Sequence, residues 1–533
     1  MPKTFFITTA IYYTNSSPHV GHAYEMVLAD VIARYHRLKG DKVFFLTGVD
    51  QHGQKVQQSA AKAGVPPAEF VKGISQKFVD LGRKLDVQYD DWAETTSERH
   101  KKVVRGILQR LFEEGKIYKD KQAGYYSVRQ EQFLTDKERG PDGKFGPEWG
   151  EIEFREEENY YFKLNQYKDW LLSYLNNRKD GVIPDFRQRE LRNAVERLTG
   201  DLCISRPKSR LDWGIELPFD KNFVTYVWFD ALTNYISFAG YDPKIDNYEN
   251  QPQDFRDRWE NVLQIVGKDI LVPAHGIYWL IMLRAMGFPD DQMPQLLVHG
   301  WWNLGGAKMS KSTGNIVDPF VLADKYSAET LRYYLMSDIA TGKDADFSEE
   351  RLIERYNADL ANSLGNLLNR SLTMIDKYCV RKLTRPKSVE SYPVEEFGLR
   401  VSPTLGIIEY VNAMTDNAPN VASHVALNLA LQCNQIVDAS RPWALAKDSA
   451  EREHLDQVLY TLAESLRIIA IWISPVLPRG AHGIFDQLNW KMELSGKEER
   501  FSLADAEWGR LPDGHVVGKP VPLFPRIEVD EGV

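Results

Sequence analysis

The sequence predicts an α/β fold: a parallel sheet, interrupted by an insertion and followed by an α-helical third. Three observations predict it. Apolar strand-like runs alternate with amphipathic helices near the N-terminus, the pattern of βαβ units. Between Tyr118 and Trp213 the texture changes to aromatic strands and Gly-Pro turns such as Gly140-Pro141-Asp142-Gly143. After residue 350 the apolar positions recur at helical spacing, as in Asp359 to Leu368.

Taken in order, Thr4 to Thr9 reads as a buried strand, and Asn15-Ser16-Ser17-Pro18 as a loop. Gly21 opens a helix through Leu38, with Leu28, Val31, Ile32 and Tyr35 on one face. Gly40-Asp41 turns into a second strand, Val43 to Leu46, which ends in Thr47-Gly48-Val49-Asp50-Gln51-His52-Gly53 before another helix. Residues 102 to 115 form an amphipathic helix carrying Val104, Ile107, Leu108, Leu111 and Phe112. The acidic run Glu156-Glu157-Glu158 reads as a solvated edge. The sheet is expected to resume with Phe223 to Asp230 and to continue with Val262 to Val266 and Leu296 to Val298. A connection around Pro386 and Pro393 divides the helices that follow, and no internal repeat or low-complexity tract is found.

Length and composition set bounds. A chain of 533 residues accommodates three or four domains, and 43% hydrophobic residues support packed cores. Cys203, Cys379 and Cys433 lie far apart with no CxxC pair, which supports neither a disulfide framework nor a thiolate zinc site. The N-terminal apolar run is too short for a secretory signal, and no run of about 18 apolar residues exists. A reducing cytoplasm and no membrane are therefore expected. The net charge of −9 argues against indiscriminate nucleic-acid binding. It leaves room for an RNA held by local basic groups and aromatic stacking, for which 13 Trp and 25 Tyr are available.

Two motifs carry the chemistry. His19-Val20-Gly21-His22 is answered almost 300 residues later by Lys308-Met309-Ser310-Lys311-Ser312. Either alone is weak, because a lone His near a strand end is more often a turn residue and a Lys-rich run is more often a solvated loop. Together they suit transfer of an adenylyl group from ATP to a carboxylate, where positioned cationic and N–H groups neutralise a triphosphate without a covalent nucleophile. His19, His22 and Asp50 fall at the carboxyl ends of predicted strands, where parallel sheets bind ligands. A helix N-terminus there also favours phosphate.

The residues so aligned resemble the class I aminoacyl-tRNA synthetases, and within them the methionyl-tRNA synthetases, nearly end to end. The resemblance rests on both motifs, on Tyr226-Val227-Trp228-Phe229-Asp230-Ala231-Leu232 with Tyr235, and on Ile265-Val266-Gly267-Lys268-Asp269-Ile270. It also rests on Val298-His299-Gly300-Trp301, Gly342 to Ser348, Arg441-Pro442-Trp443-Ala444 and Pro520 to Ile527. It implies a Rossmann-like parallel-sheet catalytic domain (1–116 and 217–320), with an inserted connective domain (117–216). A stem-contact connection (321–350) and an α-helical anticodon-binding domain (351–533) follow.

The implied activity is a two-step ligation. L-Methionine and Mg-ATP give methionyl-adenylate and pyrophosphate, and the methionine then passes to tRNA-Met, including the initiator tRNA. By position, His19, His22, Lys308 and Lys311 are the implied catalytic residues. Asn15, Gly21, Gly267, Asp269 and His299 join them around ATP. Ile11, Tyr13, Trp228, Ala231, Leu232, Tyr235, Ile270 and His275 are implied to line the methionine pocket. An unbranched thioether suits such aromatic surroundings. Asp50 is implied to take the ammonium, and Arg206 to join the site from the end of the insertion. Asn366, Arg370 and Trp443 are the implied anticodon contacts, although a Trp beside Pro442 could equally pack between helices.

The chain departs from the family in four places. Asp50-Gln51-His52-Gly53 replaces Asp-Glu-His-Gly, so one charge is lost. His275 falls one residue later than usual, which suggests a one-residue bulge. Leu232 stands where Pro is expected. Ser127-Val128-Arg129-Gln130 occupies the place of a Cys-x-x-Cys knuckle, so no structural zinc is expected. No appended tRNA-binding or dimerisation module, as some members carry, is expected, and a monomer is expected. Two other readings are another adenylate-forming nucleotidyltransferase, which the helical third disfavours, and a non-catalytic RNA-binding paralogue, which the retained His19, His22 and Lys311 disfavour.

Overall fold

The computed structural model describes residues 3–127, 132–134, 138–140, 142–309, 316–386, 392–394, 399–401, 403–490 and 501–528. Its centre is a seven-stranded parallel sheet. The strands are β1 (Thr4–Thr8), β2 (Tyr12–Tyr13), β3 (Lys42–Asp50), β4 (Asp91–Glu94), β5 (Val182–Ile183), β6 (Val262–Gly267) and β7 (Gln295–His299). Their order is β2-β3-β1-β6-β7-β5, with β4 also on β3. β1 thus lies between β3 and β6, and the chain builds outward from it in both directions. Such a reversal opens a crevice at the carboxyl ends of the two inner strands.

The first helix, α1 (Val20–Lys39), follows from its sequence. Gly40 closes it in the left-handed conformation (φ 93°), which a glycine adopts without strain, and His36, Arg37 and Lys39 sit in its last turn. Leu28, Val31, Ile32 and Tyr35 are all buried. α1 is in fact buried around most of its circumference, because helices of the C-terminal third cover the side facing away from the sheet. β3 runs four residues beyond the expected Val43–Leu46, so Asp50 is its last residue. Helices α2 (Gln54–Ala63), α3 (Pro67–Lys84) and α4 (Glu98–Glu113) follow. α4 starts four residues before the expected helix, because the Ser97 side chain caps it by accepting from the His100 N–H.

The expected return to the sheet at Phe223 to Asp230 is corrected by the structure. Asp220–Thr225 is the middle strand of a small antiparallel sheet with Ser205–Pro207 and Glu216–Leu217. From Val227 the chain is α5 (Val227–Ser237). The β-prone run Tyr-Val-Trp-Phe hides the helical spacing of residues 228, 231, 232 and 235, which share one face.

Within 117–216, Ile117–Ser127 and Ile152–Phe162 pair antiparallel along their whole length. Two further short strands complete that sheet. The acidic run is only partly a solvated edge, since Glu157 is half-buried against Arg210 at 3.1 Å and Glu158 pairs with Lys119 at 2.9 Å. β5, also from this stretch, joins the main sheet beside β7.

Beyond the sheet the chain is mainly helical, with α6 (Ala328–Ser337) followed by α7 (Asn366–Cys379), α8 (Pro419–Ser440), α9 (Arg452–Ile473) and α10 (Pro478–Leu488) as its main elements. A buried guanidinium ties these helices to the sheet domain. Arg332 of α6 donates to the carbonyls of Leu85, Pro475 and Val476 at 2.8–2.9 Å and pairs with Asp30 of α1 at 2.7 Å. Arg34 and the Gln88 N–H complete the shell of Asp30. Burial opposes the charge of Asp30, but the two arginines outweigh it and hold the carboxyl below its usual range. No helix among the described residues is long and apolar enough to cross a membrane.

Candidate active site

A cavity of about 1170 Å³ opens at the carboxyl ends of β1, β3, β6 and β7. Strand register assembles it. Tyr13 pairs with Asp50 and Gly267 with His299, so residues distant in sequence share one edge. Its lining includes Ile11, Tyr13, His19, Gly21, His22, Asp50, Arg206, Trp228, Ala231, Leu232, Tyr235, Gly267, Asp269, Ile270, His275 and His299.

The first wall is the entrance of α1. His19 is its N-cap, and its Nδ1 accepts the Gly21 N–H at 3.0 Å, while Nδ1 of His22 accepts the His19 N–H at 3.1 Å. The two rings form a reciprocal cap, and their centroids lie 3.9 Å apart. A nitrogen that accepts carries no proton, so in each neutral imidazole the hydrogen sits on Nε2. His22 is further held edge-on by Tyr12 and Phe78. Gly21 is needed for closeness: a Cβ there would stand 2.8 Å from Cε1 of His19. The helix N-terminus adds positive potential at the same point.

The second wall is apolar. Trp228, Ala231, Leu232 and Tyr235 of α5 face the cavity, and Tyr235 bonds His275 at 2.7 Å. His275 Nδ1 lies 3.0 Å from the Ile270 carbonyl, which can only accept. Nδ1 therefore donates, and Nε2 accepts the tyrosine hydroxyl proton. Burial lowers the pKa of His275 to about 4, so the ring is neutral. Between Ile270 and His275 the backbone leaves helical geometry at Val272 (φ −114°, ψ 122°) and then winds as a π-helix through Trp279.

The third wall is ionic. Burial and the nearby Asp230 charge raise the pKa of Asp50 well above the usual carboxylate value. Among the described residues its Oδ1 receives two contacts, both long, from the His52 N–H at 3.4 Å and Thr95 Oγ1 at 3.5 Å. At the other end, His299 Nε2 meets Glu25 at 3.1 Å and its Nδ1 meets the Gly300 carbonyl at 2.7 Å. Burial opposes the charged ring, but Glu25 and that carbonyl outweigh it and raise the pKa of His299. Arg206 is buried, with its guanidinium 3.9 Å from the Tyr226 ring centroid.

Asn15 is in the turn after β2 and does not line the cavity. Lys308 ends a two-residue strand, Ala307–Lys308, paired with Trp302–Leu304, and its neighbour Met309 lines the cavity. Lys311 lies outside the described residues, as do Val128, Arg129 and Gln130. Asn366 opens α7, and Arg370, one turn on, donates to Asp438 of α8 at 2.7 Å. Trp443 sits on the single turn Pro442–Leu445 and is 43% exposed, which does not fit a Trp packed between helices.

Sequence reading missed several lining residues. Glu25 also accepts the Ala10 N–H at 2.8 Å and stands one turn beyond His22, a spacing that could have exposed it. Tyr118, Asp120, Lys121 and Tyr161 bring the strands of the 117–162 sheet to the cavity. Nothing in their local pattern signals that, because their role depends on how that sheet docks. Among the described residues no group of three or more His, Cys, Asp or Glu side chains is placed to hold a metal ion.

A family model described as tRNA synthetases class I (M) matches residues 5–144 and 149–372. A methionine–tRNA ligase of Caldanaerobacter subterraneus is 40% identical over 532 residues, covering all of this chain and 80% of that protein. The Bacillus subtilis methionine–tRNA ligase is 38% identical over 544 residues, covering all of this chain and 79% of that protein. Among solved structures, Mycobacterium tuberculosis methionyl-tRNA synthetase in complex with methionyl-adenylate superposes with a TM-score of 0.88 at 34% identity. That match covers 98% of this chain and all of the other.

Proposed function

The chain belongs to the class I tRNA synthetases of the methionine–tRNA ligase family, and from that premise we infer how its own residues carry the reaction. It activates L-methionine with ATP to methionyl-adenylate and pyrophosphate, then transfers the methionyl group to tRNA. The observation that carries this reading is the meeting, in one cavity, of the reciprocal His19–His22 cap, the Trp228–Tyr235 face and the buried Asp50.

We propose the following roles. Trp228, Ala231, Leu232, Tyr235, Ile270 and His275, with Ile11 and Tyr13, hold the thioether side chain. Neutral His275 suits this, since a charged ring would prefer water or a counter-ion to sulfur. Asp50 has spare acceptor capacity, and an ammonium arriving beside it offsets the burial that disfavours its charge. The methionine carboxylate then attacks the α-phosphorus of Mg-ATP in line with the leaving pyrophosphate. Nε2–H of His19 and of His22, together with the start of α1, stabilise the charge that builds on the phosphate oxygens. Lys308 and Lys311 neutralise the pyrophosphate. Gly267, Asp269 and His299 meet the nucleoside side of ATP, and Arg206 approaches from the insertion side. In the second step the ribose hydroxyl at the tRNA 3′ end attacks the adenylate carbonyl and AMP departs.

For the tRNA, we propose that exposed Trp443 stacks on an anticodon base while Asn366 and Arg370 contact the same loop. The helical third as residues 351–533, a monomeric state and a cytoplasmic location belong to the same reading. Charging of a tRNA with a CAU anticodon, compared with the same tRNA bearing another anticodon, tests it. Methionine should be attached to the first and scarcely to the second. Equal charging of both would remove the anticodon assignment.

A further inference from the structure

Behind Asp50 lies a second buried carboxylate that the scheme above does not use. Asp230 of α5 is fully buried, and each of its oxygens meets a different histidine. Oδ2 lies 2.7 Å from His52 Nδ1, and Oδ1 lies 2.7 Å from His100 Nε2. His100, on α4, is also fully buried, and its Nδ1 faces Ser237 Oγ at 2.8 Å. Ser237 Oγ also stands 3.2 Å from the Asn234 carbonyl, which can only accept. His52 stands two residues after Asp50, gives its backbone N–H to Asp50 and its ring to Asp230.

We propose that His52 and His100 are positioning residues for methionine recognition: clamping Asp230 between them, they offset its charge, so that Asp50 alone presents a carboxylate to the ammonium. The proposal rests on the reading of Asp50 as the ammonium's partner. Without the clamp, two carboxylates would compete in one buried site, and like charges there do not both ionise readily. Burial opposes the charge of Asp230, yet His52 and His100 together hold it ionised with a pKa of about 2, and the part of that charge they leave uncompensated adds to burial in pushing Asp50 up. Loss of one histidine leaves Asp230 ionised by the other but less offset. The groups acting on Asp50 are Asp230 from α5, His52 from its own turn and the Thr95 hydroxyl from the segment after β4. His100 acts through Asp230.

The test is the pH dependence of the methionine KM in ATP–pyrophosphate exchange. It compares the unaltered protein with H52Q, H100Q, D230N and D50N. Methionine affinity should fall on the acid side as Asp50 takes up a proton. H52Q and H100Q remove the offset, so the fall should begin roughly one unit higher in pH, with KM at neutral pH up by about tenfold and kcat little changed. D230N removes the competing charge, so the fall should begin at lower pH. Residues that merely support the fold would weaken binding in all three variants without this opposition of sign. Shifts in the same direction for H52Q and D230N, or none in either, would overturn the proposal. The ATP KM and thermal unfolding report whether each variant is folded. If D230N does not fold, H100Q decides: a shift like that of H52Q supports the proposal, and an unmoved profile overturns it. D50N that keeps its methionine affinity would instead remove the underlying reading of Asp50.

Discussion

Tyr235 gives its hydroxyl proton to Nε2 of His275 across 2.7 Å, and the Ile270 carbonyl takes the proton on the opposite nitrogen. One tautomer of a neutral ring is thereby fixed at the floor of an apolar pocket. Tyr235→Phe should leave a buried acceptor unpaired, at a cost of about 1–3 kcal/mol. The expected result in exchange assays is a methionine KM raised roughly tenfold or more with kcat near normal. An unchanged KM would mean that the ring needs no such fixing.

The same histidine makes a stability prediction. An unfolded histidine titrates near about 6.5, whereas burial holds His275 at about 4 in the fold. Between these values the unfolded chain binds more protons, so stability is lost as the pH falls from about 6.5 towards 4. This one group accounts for about 3 kcal/mol over that window. Denaturant unfolding at several pH values should show a shallower acid loss for His275→Gln than for the unaltered protein. Parallel curves would contradict the assignment.

Gly21→Ala places a methyl carbon 2.8 Å from the His19 ring, which must then swing away from its cap. Adenylate formation should slow by about 10²-fold or more, because the lost donor acts where charge develops. Methionine affinity, measured by binding, should change little. A variant with normal exchange kinetics would show that the reciprocal cap is not what the chemistry needs.

Lys311→Ala should cripple adenylate formation while methionine binding survives. An interaction made only as pyrophosphate departs lowers kcat and kcat/KM together. Pre-steady-state exchange measurements check this, and near-normal rates would sink the assignment of Lys311.

Much of the sheet domain was legible because buried parallel strands announce themselves as apolar runs and their ends carry the chemistry. His19, His22, Asp50, Gly267 and His299 could all be placed at strand ends or a helix start from pattern alone. The failures have physical causes. The Tyr226–Asp230 run is rich in β-prone residues, yet it caps and opens α5, because its cavity-facing side chains are needed at helical spacing. Asp230 itself gave no signal, since its partners His52 and His100 are brought to it only by the packing of α4 and α5 on the sheet. The π-wound segment that carries His275 gave no signal in the sequence.

Trp443→Ala should leave methionine activation almost intact and weaken charging of a CAU-bearing tRNA by about 10- to 100-fold, as expected for the loss of one base–aromatic stack. The 43% exposure of the side chain predicts little change in melting temperature. If charging, exchange and melting temperature fall together, the residue supports the fold and the anticodon contact lies elsewhere on the helical third.

Elemental analysis of the purified protein should find no tightly held zinc. Cys203, Cys379 and Cys433 are far apart in the sequence and form no CxxC pair. About one zinc per chain would require a site built from other ligands.

The most direct test of the whole account is ATP–pyrophosphate exchange with the purified protein and a panel of single amino acids. Exchange should depend on methionine, with leucine, isoleucine and valine supporting it only weakly, if Trp228, Tyr235 and His275 hold the side chain as proposed. Exchange of comparable efficiency with another amino acid, or none with methionine, would contradict the account.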